Sequence, residues 1–328
     1  MSAHVTIVGA GLSGLIAAHE LASAGHTVDV LDKGLGVGGR LATRRMAGAT
    51  LDHGAQFFTV RGQRFREFVD DAIEANVVDV WCHGFGVRDK YPRYCCPAGM
   101  TALAKWLADR VRAAGATITT DVRVESVGRG AAGWEITDTE GRTQPTDAVL
   151  LTPPVPQTLD LLRIGGVELT SPFDRQLDAI SYKPTMALLV VLDGPSAVPR
   201  PGGVQRTERD LFTFITDNQM KGISAVPALT FHVNGPTSTR RWNDDPEEVR
   251  ADLMRIASPW FGGAGVVESQ LKKWKYAGPY IPFPAPALVV ESDPGPLVMA
   301  GDAFAGPKVE GAFNSGVAAA AEIASRIS

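Results

Sequence analysis

The sequence predicts an α/β protein of two domains, and three observations support this class. The chain has 328 residues, more than one hydrophobic core usually supports. It opens with a strand, a helix and a second strand. Further along, the apolar runs Met186–Leu192 and Ala228–Val233 are typical of a mixed or antiparallel sheet, and Asp245–Ala257, with Pro246 and acidic residues in its first turn, is typical of a helix.

The opening strand–helix–strand unit has the layout of a Rossmann-like domain. His4–Val8 is a short β-rich run, an alanine- and leucine-rich helix follows and stops at Gly25, and Thr27–Leu31 is the second strand. The turn between the first strand and the helix, Gly9–Gly14, reads G-x-G-x-x-G. In this position the motif predicts a dinucleotide site. The alternative is a glycine-rich turn that binds nothing.

Each residue of this motif has its own physical role. Gly9 permits the tight turn, Gly11 lets the backbone approach a pyrophosphate, and Gly14 lets the helix pack on the strand. The helix start offers free N–H groups and the positive end of its dipole to the anion. Asp32 ends the second strand, where its carboxylate can accept hydrogen bonds from ribose hydroxyls.

A second glycine pair argues against an ordinary nicotinamide dehydrogenase, which has no general need for one. Gly38 and Gly39 can bring N–H groups to a phosphate, and Arg40 can add a charge-assisted bond, although a solvated surface charge is the alternative for Arg40. The following segment Asp52–Phe58 combines small residues with aromatic ones, which suits one face of a large planar ring.

Later segments extend the same pattern. We expect Thr117–Val127 to be strand material paired with Trp134–Thr137, and Asp147–Pro154 to be a buried strand ended by its prolines. Leu297–Asp302 is a strand ending in Gly-Asp, and it leads through Gly306 and the glycine-rich segment Gly311–Gly316 into an alanine-rich final helix. An acid there can bond a ribityl hydroxyl, and the helix start can stabilise negative charge on a reduced flavin.

Composition and charge exclude several other classes. The 32 basic and 36 acidic side chains argue against nucleic-acid binding. No apolar run approaches the roughly 18 residues of a membrane helix, and no basic leader opens the chain. The three cysteines have neither zinc spacing nor an even count. We therefore expect a soluble cytoplasmic protein with reduced thiols, no metal site, and neither nucleic acid nor membrane as a partner.

The motifs, taken in order, resemble those of the flavin amine-oxidase superfamily. They are GAGLSG, DKGLGVGGR, LDHGAQFF, the Thr-Pro-Pro strand end and AGDAFAGPKVEGAFNSG. The similarity also covers the segments Cys96–Met100 and Lys273–Ala277. The compact length, Asp32-Lys33, the segment Gly54–Phe57 and the C-terminal Gly-Asp and Val-Glu-Gly-Ala-Phe sequences narrow the resemblance to renalase-type FAD-dependent oxidases, especially bacterial ones. The resemblance implies an amine-oxidase-like two-domain architecture. Its FAD-binding domain comprises residues 1–60, 95–160 and 285–328, and its substrate domain residues 61–94 and 161–284.

The resemblance also implies a cofactor and a set of contacts. The cofactor is FAD, and because no cysteine follows Cys96, the cysteinyl linkage of monoamine oxidases is excluded and FAD is expected to bind non-covalently. The expected cofactor-binding residues are Gly9, Gly11, Ser13, Gly14, Asp32, Lys33, Gly39, Arg40, Gln56, Phe57, Val124 (through its backbone), Asp302, Gly311 and Ala312.

The residues expected to line a substrate site are Phe58, Met100, Trp274 and Tyr276. Trp274 and Tyr276 alternate with lysines, as on a strand with one aromatic face. They can stack on a flat substrate, or they can pack beneath the sheet.

Other reactive side chains are scattered. His53, His83 and His232 occur singly, which favours ordinary polar or core roles. Cys95–Cys96 are expected to be buried thiols, with a redox pair as the alternative, since adjacent cysteines rarely form an unstrained disulfide. Arg44–Arg45 can meet a phosphate or form a solvated basic pair.

The implied activity is hydride transfer from an isomeric dihydro-NAD(P), reduced at ring position 2 or 6, to FAD. Reoxidation by O2 gives H2O2 and ordinary NAD(P)+. A dihydropyridine already carries a labile hydride, so no protein group is predicted to be catalytic. Two alternatives remain open at this point. One is an oxidase of amines or of another small reduced compound, and the other is a flavin-binding protein without turnover.

Overall fold

The structure, a computed structural model, describes residues 2–86, 91–169 and 173–327. Residues 87–90 of the predicted substrate domain, and 170–172, lie outside this part. The strands are β1 His4–Val8, β2 Thr27–Asp32, β3 Thr43–Met46, β4 Ala49–Asp52, β5 Asp79–Cys82, β6 Arg93–Cys95, β7 Thr117–Thr120, β8 Val124–Arg129, β9 Trp134–Asp138, β10 Thr143–Thr146, β11 Ala148–Leu151, β12 Tyr182–Leu192, β13 Gly203–Gln205, β14 Phe212–Asp217, β15 Ala228–Val233, β16 Val266–Pro279, β17 Leu288–Glu291 and β18 Leu297–Met299.

The helices lie between runs of these strands along the chain. They are α1 Leu12–Ser23, α2 Gln63–Glu74, α3 Thr101–Ala113, α4 Val155–Ile164, α5 Phe173–Asp178, α6 Gly235–Arg240, α7 Pro246–Ala257, α8 Asp302–Ala305 and α9 Val309–Ile327, with a 3₁₀ turn at Ser258–Phe261. Within the described ranges, none of them has both the length and the apolar character that a membrane crossing requires.

The chain forms two compact units that divide it differently from the predicted domains. The first unit comprises Met1–Gly39, Ala104–Ser181 and Gly278–Ser328, and the second comprises Arg40–Leu103 and Tyr182–Ala277. Residues 40–60 and 95–103, predicted to be part of the FAD-binding domain, therefore lie in the second unit. The two units are defined by how the chain packs, whereas the predicted domains are defined by which ligand they bind. The assignment of residues to an FAD-binding and a substrate domain therefore stays a prediction.

The first unit is built on a six-stranded sheet in the order β17-β18-β11-β1-β2-β7. All neighbours are parallel except the edge strand β17, which is antiparallel to β18. Every residue of β11 is buried, as are four of the five residues of β1. Strands covered on both faces have continuous apolar sequences, and this explains why the sequences of β1 and β11 are largely apolar.

One predicted strand pairing is corrected by the structure. β8 pairs with β9 as expected, but β7 pairs in parallel with β2 and extends the main sheet instead. The break falls at Asp121, whose φ is 61°. Its N–H donates to the Gly34 carbonyl at 2.9 Å, and the Val122 N–H donates to the Asp32 carbonyl at 3.0 Å. These bonds end β7 beside β2 before β8 starts a separate three-stranded sheet with β9 and β10.

The second unit is built on an antiparallel five-stranded sheet in the order β13-β14-β15-β12-β16. The apolar run of β12 serves both faces of this sheet. Met186, Leu188 and Val190 face a core that includes helix α7, and Leu189 and Val191 face a smaller cluster with the β3–β4 hairpin. The antiparallel pairing of β12 with β15 confirms the expectation from their sequences.

Helix α7 begins where the sequence predicts. The Asp245 carboxylate accepts hydrogen bonds from the N–H groups of Glu247 and Glu248 at 2.9 and 3.0 Å, and Pro246 occupies the first helical position. Both features supply what a helix start needs, because its first N–H groups have no partners within the helix.

Candidate functional site

The glycine-rich turn of the first unit has the geometry that each of its glycines predicts. Gly9 has a φ of 106°, and its N–H donates to the Leu31 carbonyl at 2.7 Å. A Cβ on Gly14 would overlap the Gly9 carbonyl oxygen, so only glycine lets α1 pack this closely. A Cβ on Gly11 would meet nothing within 4 Å, because Gly11 faces open space at the start of α1.

Ser13 is the clearest sign of a ligand at this helix start. It is 5% exposed, and its Oγ is buried without a hydrogen-bond partner. Leaving a buried hydroxyl unpaired costs about 1–3 kcal/mol. An anion at the first turn of α1 would accept a hydrogen bond from this group, so the residues present fit a pyrophosphate-bearing cofactor.

The second glycine pair closes over the first. The Gly38 N–H donates to the Ala10 carbonyl at 2.8 Å, and a Cβ on Gly39 would lie 3.6 Å from the Gly11 Cα. Gly39 therefore lies beside the helix start, and its phosphate contact stays a prediction.

The Asp32 carboxylate has a structural role that the sequence did not indicate. One oxygen accepts from the Ala10 N–H at 2.6 Å and the other from the Gly34 N–H at 2.7 Å. These bonds fix the glycine turn to the end of β2. Each carboxylate oxygen can accept more than one hydrogen bond, so the predicted ribose contact remains compatible with this role.

Lys33 and Val124 border the same region of the first unit. The Lys33 ammonium donates to the Gln157 side-chain oxygen at 3.0 Å. Partial burial, and to a lesser degree the nearby charge of Arg123, lower the pKa of Lys33, while Asp32 raises it. Val124 is 8% exposed at the start of β8, next to an irregularity in its pairing with β9. Their cofactor contacts stay predictions.

The C-terminal motif forms two successive helix starts. Asp302 opens α8 and is 8% exposed, and the preceding Gly301 has a φ of 131° and donates its N–H to the Ser315 hydroxyl at 2.8 Å. Gly311 and Ala312 lie in the first turn of α9, where a Cβ on Gly311 would overlap the Gly306 carbonyl oxygen. The final helix therefore begins at Val309 and includes the glycine-rich segment Gly311–Gly316, which the sequence predicts to lie before the helix.

The remaining cofactor candidates belong to the second unit. The Arg40 guanidinium donates to the Tyr276 carbonyl at 3.1 Å. The Gln56 amide donates to the Asp52 carbonyl at 2.8 Å, while its Oε1 is buried without a partner and can accept a ligand N–H. The Phe57 ring lies in an aromatic cluster with Phe85 and Phe214, at centroid distances of 5.2 and 5.5 Å.

Two of the four residues predicted to line a substrate site are buried in the packing of the second unit. Met100 is 0% exposed, and Phe58 is 4% exposed and stacks on Tyr94 at 5.6 Å. Their substrate contacts stay predictions. Trp274 and Tyr276 are only partly buried.

Trp274 has a partner that the sequence did not indicate. Its ring stacks on the His53 ring at 5.3 Å, and its Nε1 donates to the His53 carbonyl at 2.8 Å. His232 also contacts that carbonyl through Nε2, at 3.3 Å. Burial is the main reason that the pKa values of His53 and His232 fall to about 4, so both rings are neutral at pH 7.

The largest feature that sequence analysis missed is an ion pair between Asp52 and Lys221. The Lys221 Nζ lies 2.6 Å from the Asp52 Oδ2, and both side chains are fully buried. The other carboxylate oxygen accepts from the Thr43 hydroxyl at 2.6 Å and from the Met100 N–H at 2.8 Å. An acid at the end of an apolar strand was the only available signal, because nothing around Lys221 marks it as buried.

The cysteines confirm the interpretation as free thiols. Cys95 and Cys96 are buried and unpaired, and burial raises their pKa values to about 11 and about 12. They are therefore protonated and unreactive at neutral pH.

We expect native protein at pH 8 to react with a thiol reagent at Cys82 alone, because Cys82 is the half-exposed cysteine. All three thiols should react after denaturation in guanidinium chloride. The measurement is the number of thiols per chain that react with the reagent. Two or more fast thiols in the native protein would contradict the burial of the Cys95–Cys96 pair.

No metal centre is found among the residues that the structure describes, since none of their His, Cys, Asp and Glu side chains forms a group of three suited to a metal ion. What the first unit offers is an open helix start with an unpartnered hydroxyl and two acidic side chains near strand or helix ends. These features are typical of a dinucleotide-binding site.

Comparison with protein families gives the class. Residues 7–72 match the NAD(P)-binding Rossmann-like domain, and residues 80–324 match the flavin containing amine oxidoreductases. The chain therefore belongs to the flavin containing amine oxidoreductase family, and its cofactor is a flavin. The predicted Rossmann-like and amine-oxidase-like two-domain fold is confirmed.

Several curated proteins are similar to parts of this chain. A 4,4'-diapophytoene desaturase of Staphylococcus haemolyticus is 33% identical over 26% of this chain and 19% of its own length. An L-amino acid oxidase of Crotalus durissus cumanensis is 42% identical over 20% of this chain and 13% of its own length. Renalase of Mus musculus is 27% identical over 56% of each chain. The chain thus spans less than a fifth of the first two relatives and just over half of the third.

Solved structures share the fold along nearly the whole chain. A candidate protoporphyrinogen oxidase from Exiguobacterium sp. 255-15 aligns with a TM-score of 0.74 at 14% identity, covering 98% of this chain and 99% of that one. An oxidoreductase from Methanosarcina mazei aligns with a TM-score of 0.64 at 14% identity, covering 96% and 99%. At this identity the likeness is one of fold.

Proposed function

We propose that this protein is an FAD-dependent oxidase of the renalase type, acting on dihydro-NAD(P) isomers reduced at ring position 2 or 6. The reaction consumes the isomer, O2 and one proton, and it yields NAD(P)+ and H2O2. The observation that carries the cofactor part is the open start of α1, where the buried Ser13 hydroxyl has no protein partner. The similarity to mouse renalase over 197 residues supports the substrate class.

The protein's own contribution is binding and orientation. A bound flavin would accept a hydride from the reduced substrate and pass the electrons to O2. Ser13 and the N–H groups that start α1 would hold the phosphates. Asp302 would accept a hydrogen bond from a ribityl hydroxyl, and the Gln56 Oε1 would accept one from a ring N–H. Because a dihydropyridine releases hydride directly, no side chain has to remove a proton, and FAD held by these contacts alone would be non-covalent.

Changing Ser13 to alanine tests the cofactor site. We expect the dissociation constant for FAD to rise about tenfold, the effect of losing one hydrogen bond to a charged group. The thermal stability of the flavin-free protein should not fall, because the hydroxyl has no protein partner to lose. FAD titration and thermal unfolding measure the two quantities. An unchanged FAD affinity would place the phosphates elsewhere.

The substrate is tested by anaerobic mixing of the flavin-loaded protein with 2- and 6-dihydro-NAD(P). We expect the flavin absorbance near 450 nm to bleach within one turnover. Admitting O2 should then restore the absorbance and release one H2O2 per NAD(P)+ formed. Ordinary NADH, which is reduced at ring position 4, is the matched control and should react far more slowly. A flavin that binds normally but is not reduced by either isomer would refute the substrate and leave the cofactor assignment standing.

The second candidate is an oxidase of amines or of another small reduced compound. The family description and the similarity to L-amino acid oxidases favour it. Bleaching by a primary amine or an L-amino acid, without bleaching by the dihydro-NAD(P) isomers, would select it. Retained flavin that none of these compounds reduces would indicate a flavin-binding protein without turnover.

A further inference from the structure

A basic pocket in the second unit is not explained by the proposed cofactor contacts, and it shares only Trp274 with the residues expected to line the substrate site. It has a volume of about 340 Å³, within the range of small-ligand sites. None of its residues is among those expected to contact FAD. The lining residues are Thr43, Arg44, His53, Lys272, Lys273 and Trp274.

The charges of this pocket are not neutralised by the protein. Within the described part of the chain, neither Arg44 nor Lys272 forms an ion pair or a side-chain hydrogen bond. Lys273 donates one hydrogen bond, to the Trp242 carbonyl at 2.8 Å, and has further donors left. The nearby Asp52 is already paired with Lys221. The pocket therefore gathers three positive charges with no unpaired acid.

These cations are held close enough to affect one another. The pKa of Lys272 is lowered, first by partial burial and then by the positive charge of Arg44. The charges of Lys272 and Arg44 also contribute to the low pKa of His53. Gathering like charges in this way costs free energy, and an anion bound between them would remove that cost.

The His53 ring lines one side of the pocket. The His53 ring stacks on Trp274, and the Trp274 Nε1 donates a hydrogen bond to the His53 carbonyl. The His53 Nδ1 is buried without a hydrogen bond. The His53–Trp274 pair forms a flat aromatic wall of the pocket.

We propose that this pocket binds a dianionic phosphate group, either inorganic phosphate or the phosphate monoester of a small molecule. Several cations with a single flat wall match a compact dianion better than a monocarboxylate, and guanidinium and ammonium groups are the usual phosphate ligands. The proposal does not depend on the dihydro-NAD(P) activity.

The experiment is calorimetric titration of the flavin-saturated protein with inorganic phosphate and, separately, with phenyl phosphate. We expect one site, and about tenfold weaker binding in Arg44→Gln and in Lys272→Gln. The matched controls are Arg45→Gln and Lys275→Gln, which remove the same charge from exposed neighbours on the same strands that do not line the pocket. Both should bind as the original protein does.

The outcomes separate the possible ligands. Phenyl phosphate binding at least tenfold more tightly than phosphate would identify a monoester whose organic part lies on the His53–Trp274 wall, and equal affinity would identify free phosphate. Equally weakened phosphate binding in all four variants would show that phosphate responds to the general positive potential of the surface, and it would overturn the proposal. So would the absence of a saturable site, or succinate binding as tightly as phosphate. Thermal unfolding of each variant checks that its fold is intact.

Discussion

Replacing Lys221 with methionine should lower the free energy of unfolding by about 3–5 kcal/mol, because the substitution leaves a buried carboxylate without its counter-charge. Asp52 is 0% exposed and lies at the junction of several contacts. It accepts hydrogen bonds from Thr43 and Met100, so its charge cannot move to solvent without disturbing both. In a unit of this size we expect the midpoint of thermal unfolding to fall by on the order of 10 °C.

The control for this prediction is Lys183→Met. Lys183 pairs with Glu208 at 3.0 Å, but both side chains are substantially exposed. Surface pairs contribute about 0–1 kcal/mol, so this variant should unfold close to the original midpoint. Adding Asp52→Asn to Lys221→Met should recover part of the loss, because an amide carries no charge to leave uncompensated. Equal midpoints for the two lysine variants would contradict the burial of the Asp52–Lys221 pair.

Replacing Gly11 with alanine should abolish most flavin binding while leaving the fold intact. Gly11 has a φ of −74° and a ψ of 177°, which any residue adopts, and a Cβ there meets no protein atom. The added methyl group would instead occupy the space in front of the α1 N-terminus that an anion needs. We expect FAD affinity to fall at least a hundredfold, measured by titration of the flavin-free protein.

Gly14→Ala is the matched comparison, with the same added methyl group three residues later. Its Cβ would overlap the Gly9 carbonyl oxygen. Overpacking of this kind costs about 1–3 kcal/mol or more, so the thermal midpoint itself should fall. Flavin-free Gly11→Ala with a lowered midpoint, or with unchanged FAD affinity, would contradict the open helix start.

Sequence spacing predicted those parts of the fold that depend on neighbours along the chain. The opening strand–helix–strand unit and the start of α7 were identified from local patterns, and the structure confirms them. Thr117–Thr120 was assigned to the wrong partner. Its β propensity was clear, but whether a strand pairs with β9 or with β2 depends on where the chain turns at Asp121, which a strand pattern does not encode.

The site shows the same division. The motifs located Ser13 and Gly11. Only the structure shows that the Ser13 hydroxyl has no hydrogen-bond partner and that a Cβ on Gly11 would meet no protein atom. Aromatic character suggested Phe58 as a substrate contact, and only the structure shows that its ring is 4% exposed. A side chain's type is readable from the sequence, but its exposure depends on what the rest of the chain packs around it.

The sequence by itself determined the class of this protein, because a dinucleotide site made of a glycine turn and a helix start is local and imposes a fixed spacing. Only the tertiary structure decided which charges are neutralised and which are not. Asp52 meets Lys221 across 169 residues of chain, while Arg44 and Lys272 meet in a pocket without an acid. Electrostatic contacts depend on distance in space and on burial, and neither is set by distance along the chain.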